Sequence, residues 1–325
     1  MNRSLGRELV ACAALGLSGA ALASIMSARG ERPAVKRPQP RAIVRRLRPA
    51  RAGATVTAAR QLNRAAGTLA FSVLADSSVE HYRGSFKNKA MFTPLIVSAL
   101  TLGMSLHGTA DKRPLTHGVR DTTYLLAAVT GLLGSGFHLY NVGKRTGGFS
   151  WQNLFYGAPL GAPIAILLAG LIGFCSERVR EGRKGERPEI FGLPAGRTIA
   201  AVTGAGLLGT TGEAGLLHFR GAYHNPFMAV PVTLPPLGAV LLGRVAAARS
   251  GGEHQLARWW MRLLTAVGLA GVAFHAYGVS RNMGGWRNWS QNVLNGPPLP
   301  APPSFSALAM AGLAALGLME EHPDA

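Results

Sequence analysis

Cysteine, acidic residues and charge in general are scarce in this 325-residue chain. The two cysteines, Cys12 and Cys175, stand far apart, with no C-x-x-C and no C-x-x-C-H around them. That pattern excludes thiolate-ligated zinc, iron–sulfur clusters and covalently attached haem c as resident groups. Arg7 and Glu8 sit where a lipoprotein signal would be apolar, so Cys12 is not read as a lipidation site. Charged residues make up only 15% of the chain, against roughly a quarter in an ordinary soluble domain. The 34 basic residues outnumber 15 acidic ones, for a formal net charge of +19. Such a charge first suggests nucleic acid, but the low charge density argues against that partner. No phosphate-cradling GxxxxGK[ST] loop, no HExxH and no GxSxG occurs. Soluble-enzyme chemistry is therefore not written here, and a subunit without substrate chemistry of its own is expected.

Apolar material is plentiful: 48% of residues are hydrophobic and 42 are glycine. It arrives in blocks near 9–26, 62–80, 91–108, 122–142, 158–175, 198–217, 227–243, 260–278 and 304–319. Each is close to the ~20 residues that a helix needs to span a bilayer. The expected fold class is an all-α integral membrane protein with about nine transmembrane helices. The block at 62–80 is the weakest, because it carries Arg64, Asp76 and Glu80. Most basic residues fall between blocks, on the side that would hold residues 27–60. The positive-inside rule then places the N-terminus outside and the C-terminus inside a bacterial cytoplasmic (inner) membrane. Ala21-Leu22-Ala23 would suit signal cleavage, but cleavage would put the Arg-rich stretch outside and invert the bias. Residues 29–59, rich in Arg and Pro, read as a linker lying on anionic headgroups, with membrane lipids rather than nucleic acid as partner.

The strongest signal is self-similarity at an offset of 137. His81-Tyr82-Arg83-Gly84-Ser85-Phe86-Lys87-Asn88 through Pro94 recurs as His218-Phe219-Arg220-Gly221-Ala222-Tyr223-His224-Asn225 through Pro231. Phe137-His138-Leu139-Tyr140 matches Phe274-His275-Ala276-Tyr277 at the same offset. After a two-residue insertion, Gln152-Asn153 and Gly157-Ala158-Pro159 match Gln291-Asn292 and Gly296-Pro297-Pro298. The expected organisation is an anchor helix at 1–28, the linker at 29–59, and a four-helix repeat at 60–180. A charged linker at 181–196 leads to a second four-helix repeat at 197–320. Four spans per copy make the two repeats parallel, packed through small residues.

The duplicated residues suggest a chemistry. His81 and His138 fall near the same end of one repeat, His218 and His275 near that end of the other. Facing histidines in a helix bundle supply the two axial nitrogens of haem b, or donors to another metal. Arg83, Arg220, Lys144 and Arg281 follow the histidines, where cations would meet haem propionates. Asp76 and Glu213 lie five residues before the first histidine of each pair. They are second-shell or proton-relay candidates, since an intramembrane carboxylate is functional by default. In helix number, histidine placement and flanking cations the chain resembles the di-haem cytochrome b anchor subunits of respiratory dehydrogenases. The resemblance implies electron transport from an outer-face dehydrogenase subunit to quinone.

Two other readings stand beside it. Parallel repeats with buried carboxylates suit a transporter or channel. The same motifs would also serve a purely structural anchor or assembly protein, His-Tyr-Arg-Gly acting as a helix stop. The segments at 143–157 and 280–298, rich in Gly, Trp and amides, are the expected docking loops for a partner or a quinone headgroup. His117 and His254 also match but read as solvated helix starts.

Overall fold

In the computed structural model, residues 53–182, 186–248 and 254–321 are described. The expected anchor at 1–28 and most of the linker to 59 lie outside them. Helix α1 (Ala54–Arg83) begins ahead of the expected boundary at 60. A 3-10 turn (Lys89–Phe92) leads into α2 (Thr93–Ala110). Then come α3 (Gly118–Gly143), the short α4 (Trp151–Tyr156) and α5 (Gly161–Arg180). A two-stranded antiparallel hairpin, β1 (Glu189–Ile190) with β2 (Leu193–Pro194), occupies the expected linker. Helix α6 (Ala195–Arg220) follows, then a 3-10 turn (Pro226–Ala229) and α7 (Val230–Ala247). The remainder is α8 (Gln255–Arg281), a 3-10 turn (Gly285–Asn288), the short α9 (Trp289–Asn295) and α10 (Pro303–Glu321).

Among the described residues, six helical segments are long and apolar enough to cross a membrane, as an all-α membrane protein requires. They are Lys89–Ala110, Gly118–Gly143, Gly161–Arg180, Pro226–Ala247, Gln255–Arg281 and Pro303–Glu321. Helices α1 and α6, which fill the expected spans at 62–80 and 198–217, are not among these six. Packing explains why they can do without lipid-grade apolarity. Helix α1 lies against α2, α5 and α10, and α6 against α7, α10 and α5. One continuous core joins these central helices through Leu62, Leu69, Ile172, Ile199, Leu207 and Leu308, with alanines between them. A helix that is covered by protein need not be apolar all round.

The peripheral helices show the complementary pattern. Leu100 and Leu106 of α2, Leu126 and Leu133 of α3, Val240 of α7 and Leu269 of α8 are all exposed. So much outward-facing aliphatic surface is unfavourable in water and suited to lipid. Close approach at the α3–α5 contact depends on missing side chains. A Cβ on Gly131 would lie 2.3 Å from the Leu167 nitrogen, and one on Gly170 2.4 Å from the Ala128 nitrogen. Small residues at such crossings are the usual means of helix association without a hydrophobic driving force.

Chain direction fixes two ends. Helices α1, α3, α6 and α8 finish at the end that carries the histidine motifs. Helices α2, α5, α7 and α10 finish at the opposite end.

Candidate functional site: paired histidines and a buried ionic cluster

The histidine end is built by a repeated local geometry. After α1, Ser85 and Phe86 take φ of 55° and 45°; after α6, Ala222 and Tyr223 take 56° and 46°. Non-glycine residues rarely adopt this left-handed region. Neighbouring bonds hold the turn in it: Phe86 N–H donates to His81 O (3.1 Å) and Tyr223 N–H to His218 O (3.2 Å). Asn88 and Asn225 then cap the following 3-10 turns, accepting from Ala90 N (2.9 Å) and Phe227 N (3.0 Å).

This path brings two backbone carbonyls onto the histidines. His81 Nδ1 donates to Met91 O at 2.6 Å and His218 Nδ1 to Met228 O at 2.8 Å. The second histidine of each pair bonds the carbonyl ahead of the next long helix, His138 Nδ1 to Pro159 O and His275 Nδ1 to Pro298 O (2.7 Å). A carbonyl only accepts, so Nδ1 carries the proton and Nε2 of the neutral ring keeps its lone pair. Rings of His218 and His275 stand 6.5 Å apart, and His81 and His138 hold the matching places near the ends of α1 and α3. Helices α1 and α3 occupy opposite corners of their bundle, since both pack on α2 and α5; α6 and α8 have the corresponding places around α7 and α10. The four histidines thus form two pairs. Among the described residues no three His, Cys, Asp or Glu side chains converge as a donor set for one ion.

The other expected residues are distributed as follows. Arg83 is paired with Glu80 at 2.7 Å. Arg220 lies over the rings of Tyr156 (5.3 Å) and Phe155 (5.9 Å). Lys144 sits over Tyr140, and Arg281 is exposed at the end of α8. Asp76 and Glu213 come from the two halves of the molecule and lie near enough for their charges to interact. Glu213 packs against the Gly161 backbone at the start of α5 and fills the space that a Gly161 Cβ would take. An N-terminal helix end suits that carboxylate. Pro300, at the matching place before α10, has no N–H to offer. There Ser72 donates to the Pro300 carbonyl and contacts Ser304 (3.1 Å).

The opposite end holds a constellation that sequence reasoning missed. Arg120, Glu177 and Arg180 have fully buried side chains. Arg120 grips Glu177 with two bonds, Nε to Oε1 (2.9 Å) and Nη2 to Oε2 (3.0 Å), and gives Nη1 to Asp111 (2.9 Å). Arg180 donates to the carbonyls of Gly108, Asp111 and Arg113. His107 and His117 rings meet edge-on at 5.2 Å beside it. Toward the bundle interior the polar chain continues through Ser176, Asn63, the Tyr124 hydroxyl and Ser105. Burial acts to raise the Asp111 carboxyl, but hydrogen bonds from Arg113 and Arg120 outweigh it and hold the group well below the usual range.

The second half carries none of the four charged groups of this cluster, Asp111, Arg120, Glu177 and Arg180. At the offsets of 137 and 139, Asn63, Ser105, Asp111, Arg120 and Tyr124 correspond to Ala200, Leu242, Ala248, Ala257 and Met261. Ser176 and Glu177 correspond to Ala315 and Leu316. His254 stands opposite His117, and a peripheral arginine caps each end, Arg60 Nε donating to Thr109 O and Arg197 Nη2 to Ala248 O. Comparing the copies for charges present in one alone would have found the cluster.

The chain matches no known family model, no curated protein and no solved structure.

Proposed function

We propose that this chain is a membrane electron-transfer and anchor subunit. In this reading His81 with His138, and His218 with His275, each hold one haem b, and electrons pass from an outer-face dehydrogenase subunit to quinone. The proposal includes two parallel four-helix repeats behind an N-terminal anchor helix, and a bacterial inner membrane with the N-terminus outside. One observation carries it. In both halves the paired histidines stand on opposite-corner helices with Nδ1 bonded to a backbone carbonyl, which leaves Nε2 as the ligating nitrogen. Holding the far ring nitrogen in this way fixes tautomer and ring direction. The donor set, two neutral imidazoles, fits haem b, which supplies one-electron chemistry when bound. Arg220, Lys144 and Arg281 supply cations at the same end for propionates. Reduction of the quinone to quinol takes two electrons, from the dehydrogenase, and two protons from water.

A reduced-minus-oxidised spectrum of protein purified from haem-replete cells tests the reading. Soret and α-band shifts that fall by about half in His138→Ala and again in His275→Ala are expected. Absence of both bands in the parent protein overturns it.

The position of Asp76 against Glu213 favours a second reading, transport along the interface between the halves. Ion flux in proteoliposomes that Asp76→Asn and Glu213→Gln abolish together would support it. Flux indifferent to both changes would remove it.

A further inference from the structure

The two halves differ at one place where a ligand would fit. At the end of α6, the short helix α4 of the first half supplies two rings. Phe155 packs edge-on against Phe219 at 5.5 Å, and Tyr156 lies beneath the Arg220 guanidinium. The matching place at the end of α1 receives α9 of the other half. There the sequence puts Leu294 where Phe155 stands and Asn295 where Tyr156 stands. Both rings are lost, and a cleft of about 570 Å³ opens between Tyr82, Arg83, Ser85, Phe86, Leu294 and Asn295. Its polar equipment also differs. Ser85 adds a hydroxyl where the counterpart has Ala222, and Glu80, matched by Leu217, anchors Arg83 through a single Nη1 bond. The remaining guanidinium N–H groups and the flat face of Arg83 are left for another partner.

We propose that this cleft binds the ring of a membrane-soluble 1,4-quinone, in the place that Phe155 and Tyr156 occupy in the counterpart. Three features select that class. The protein's own solution to the counterpart is planar and aromatic under an arginine, an arrangement that cation–π and stacking forces favour. Arg83 and Ser85 supply donors for ring oxygens, whereas Asn295 Nδ2 already donates to Gln291. Tyr82, exposed at the rim, leaves an open side for an isoprenoid tail to leave into lipid. That the ring is a quinone rests on the redox reading above; that the cleft takes a planar ring does not.

Calorimetric titration of the purified full chain with 2,3-dimethoxy-5-methyl-1,4-benzoquinone and with 2-methyl-1,4-naphthoquinone tests the assignment. One site is expected in the parent protein. L294F/N295Y, which installs the residues of the counterpart, should weaken binding at least about tenfold. Arg83→Gln should weaken it several-fold. F155L/Y156N, which opens the counterpart, should add a second site. No binding of either quinone to the parent, or unchanged affinity in L294F/N295Y, overturns the proposal. So does equal displacement of the quinone by a ring-free anionic lipid. Haem spectra of the same samples separate the two ideas. Binding lost on filling the cleft in protein without Soret bands retains the ring site and removes the redox reading. Bands present with unaltered binding in the filled variant remove the cleft alone.

Discussion

At the scale of single residues, the Arg120–Glu177 pair poses an energetic question that the molecule itself answers. Taking two charges out of water costs several kcal/mol each, and their attraction offsets this only when the remaining polar atoms are also bonded. Arg120 meets that demand through Glu177 and Asp111. Yet the equivalent place in the second half is filled by Ala257, Met261 and Leu316, all buried, so the architecture closes without ions. Glu177→Leu alone should therefore destabilise the protein by about 3–5 kcal/mol, because it leaves the buried guanidiniums of Arg120 and Arg180 with one carboxylate fewer. The triple variant R120A/E177L/R180M, which installs the residues that stand at these places in the second half, should recover much of that loss, as measured by unfolding of purified protein in detergent. A triple variant no more stable than the single one would show that the cluster is required for folding.

Asp111 adds a pH dependence of definite sign. Its carboxyl is held below the ordinary value, so its share of stability is complete above about pH 4. That share falls as acid protonates the native carboxylate. The stability gap between parent and Asp111→Asn should be flat from pH 7 to 5 and narrow at lower pH. A gap that widens in acid would reverse the assignment.

At the scale of elements, the motifs that the sequence made visible are those with local hydrogen-bond logic. His81, Gly84, Asn88 and Met91 recur as His218, Gly221, Asn225 and Met228 because each makes a bond or contact within ten residues of itself. Arg120 and Glu177 escaped notice for the opposite reason. They meet across 57 positions, each lies just beyond an apolar block, and both read as ordinary loop charges. The short helices α4 and α9 were legible only as loops rich in glycine and aromatics. The repeated turn also predicts a gain. Ala222 has φ of 56° and is exposed, and an L-residue there costs roughly 1–2 kcal/mol relative to the right-handed region. Glycine avoids that cost but adds freedom to the unfolded chain. Ala222→Gly should thus raise stability by several tenths of a kcal/mol, up to about 1. By contrast, Gly170→Leu sets a side chain against the α3 backbone and should separate α3 from α5, lowering the midpoint of detergent unfolding sharply.

At the scale of the whole molecule, hydropathy and position separate. The eight long helices among the described residues form a central group, α1, α5, α6 and α10, and a peripheral group, α2, α3, α7 and α8. Hydropathy recognises all four peripheral helices, because lipid is their solvent. It misses α1 and α6, which carry polar residues, Asn63 and Thr203 among them, buried on the faces that meet the other central helices. The alternation of helices then makes a prediction about sides that does not depend on any cofactor. The loops at Lys112 and Glu189 lie at the end of the bundle that holds the Arg120 cluster, and Lys144 and Asn282 lie at the histidine end. In a background with Cys12 and Cys175 replaced by serine, single cysteines at these four places should label in two pairs. In the proposed orientation Lys112 and Glu189 lie inside, so a membrane-impermeant maleimide should reach only Lys144→Cys and Asn282→Cys in intact cells. The inverse pairing would keep the helix bundle and reverse its orientation, moving the histidine pairs to the inner side. Labelling of all four from one side would break the spanning topology itself, because consecutive long helices could not then cross the membrane in alternation.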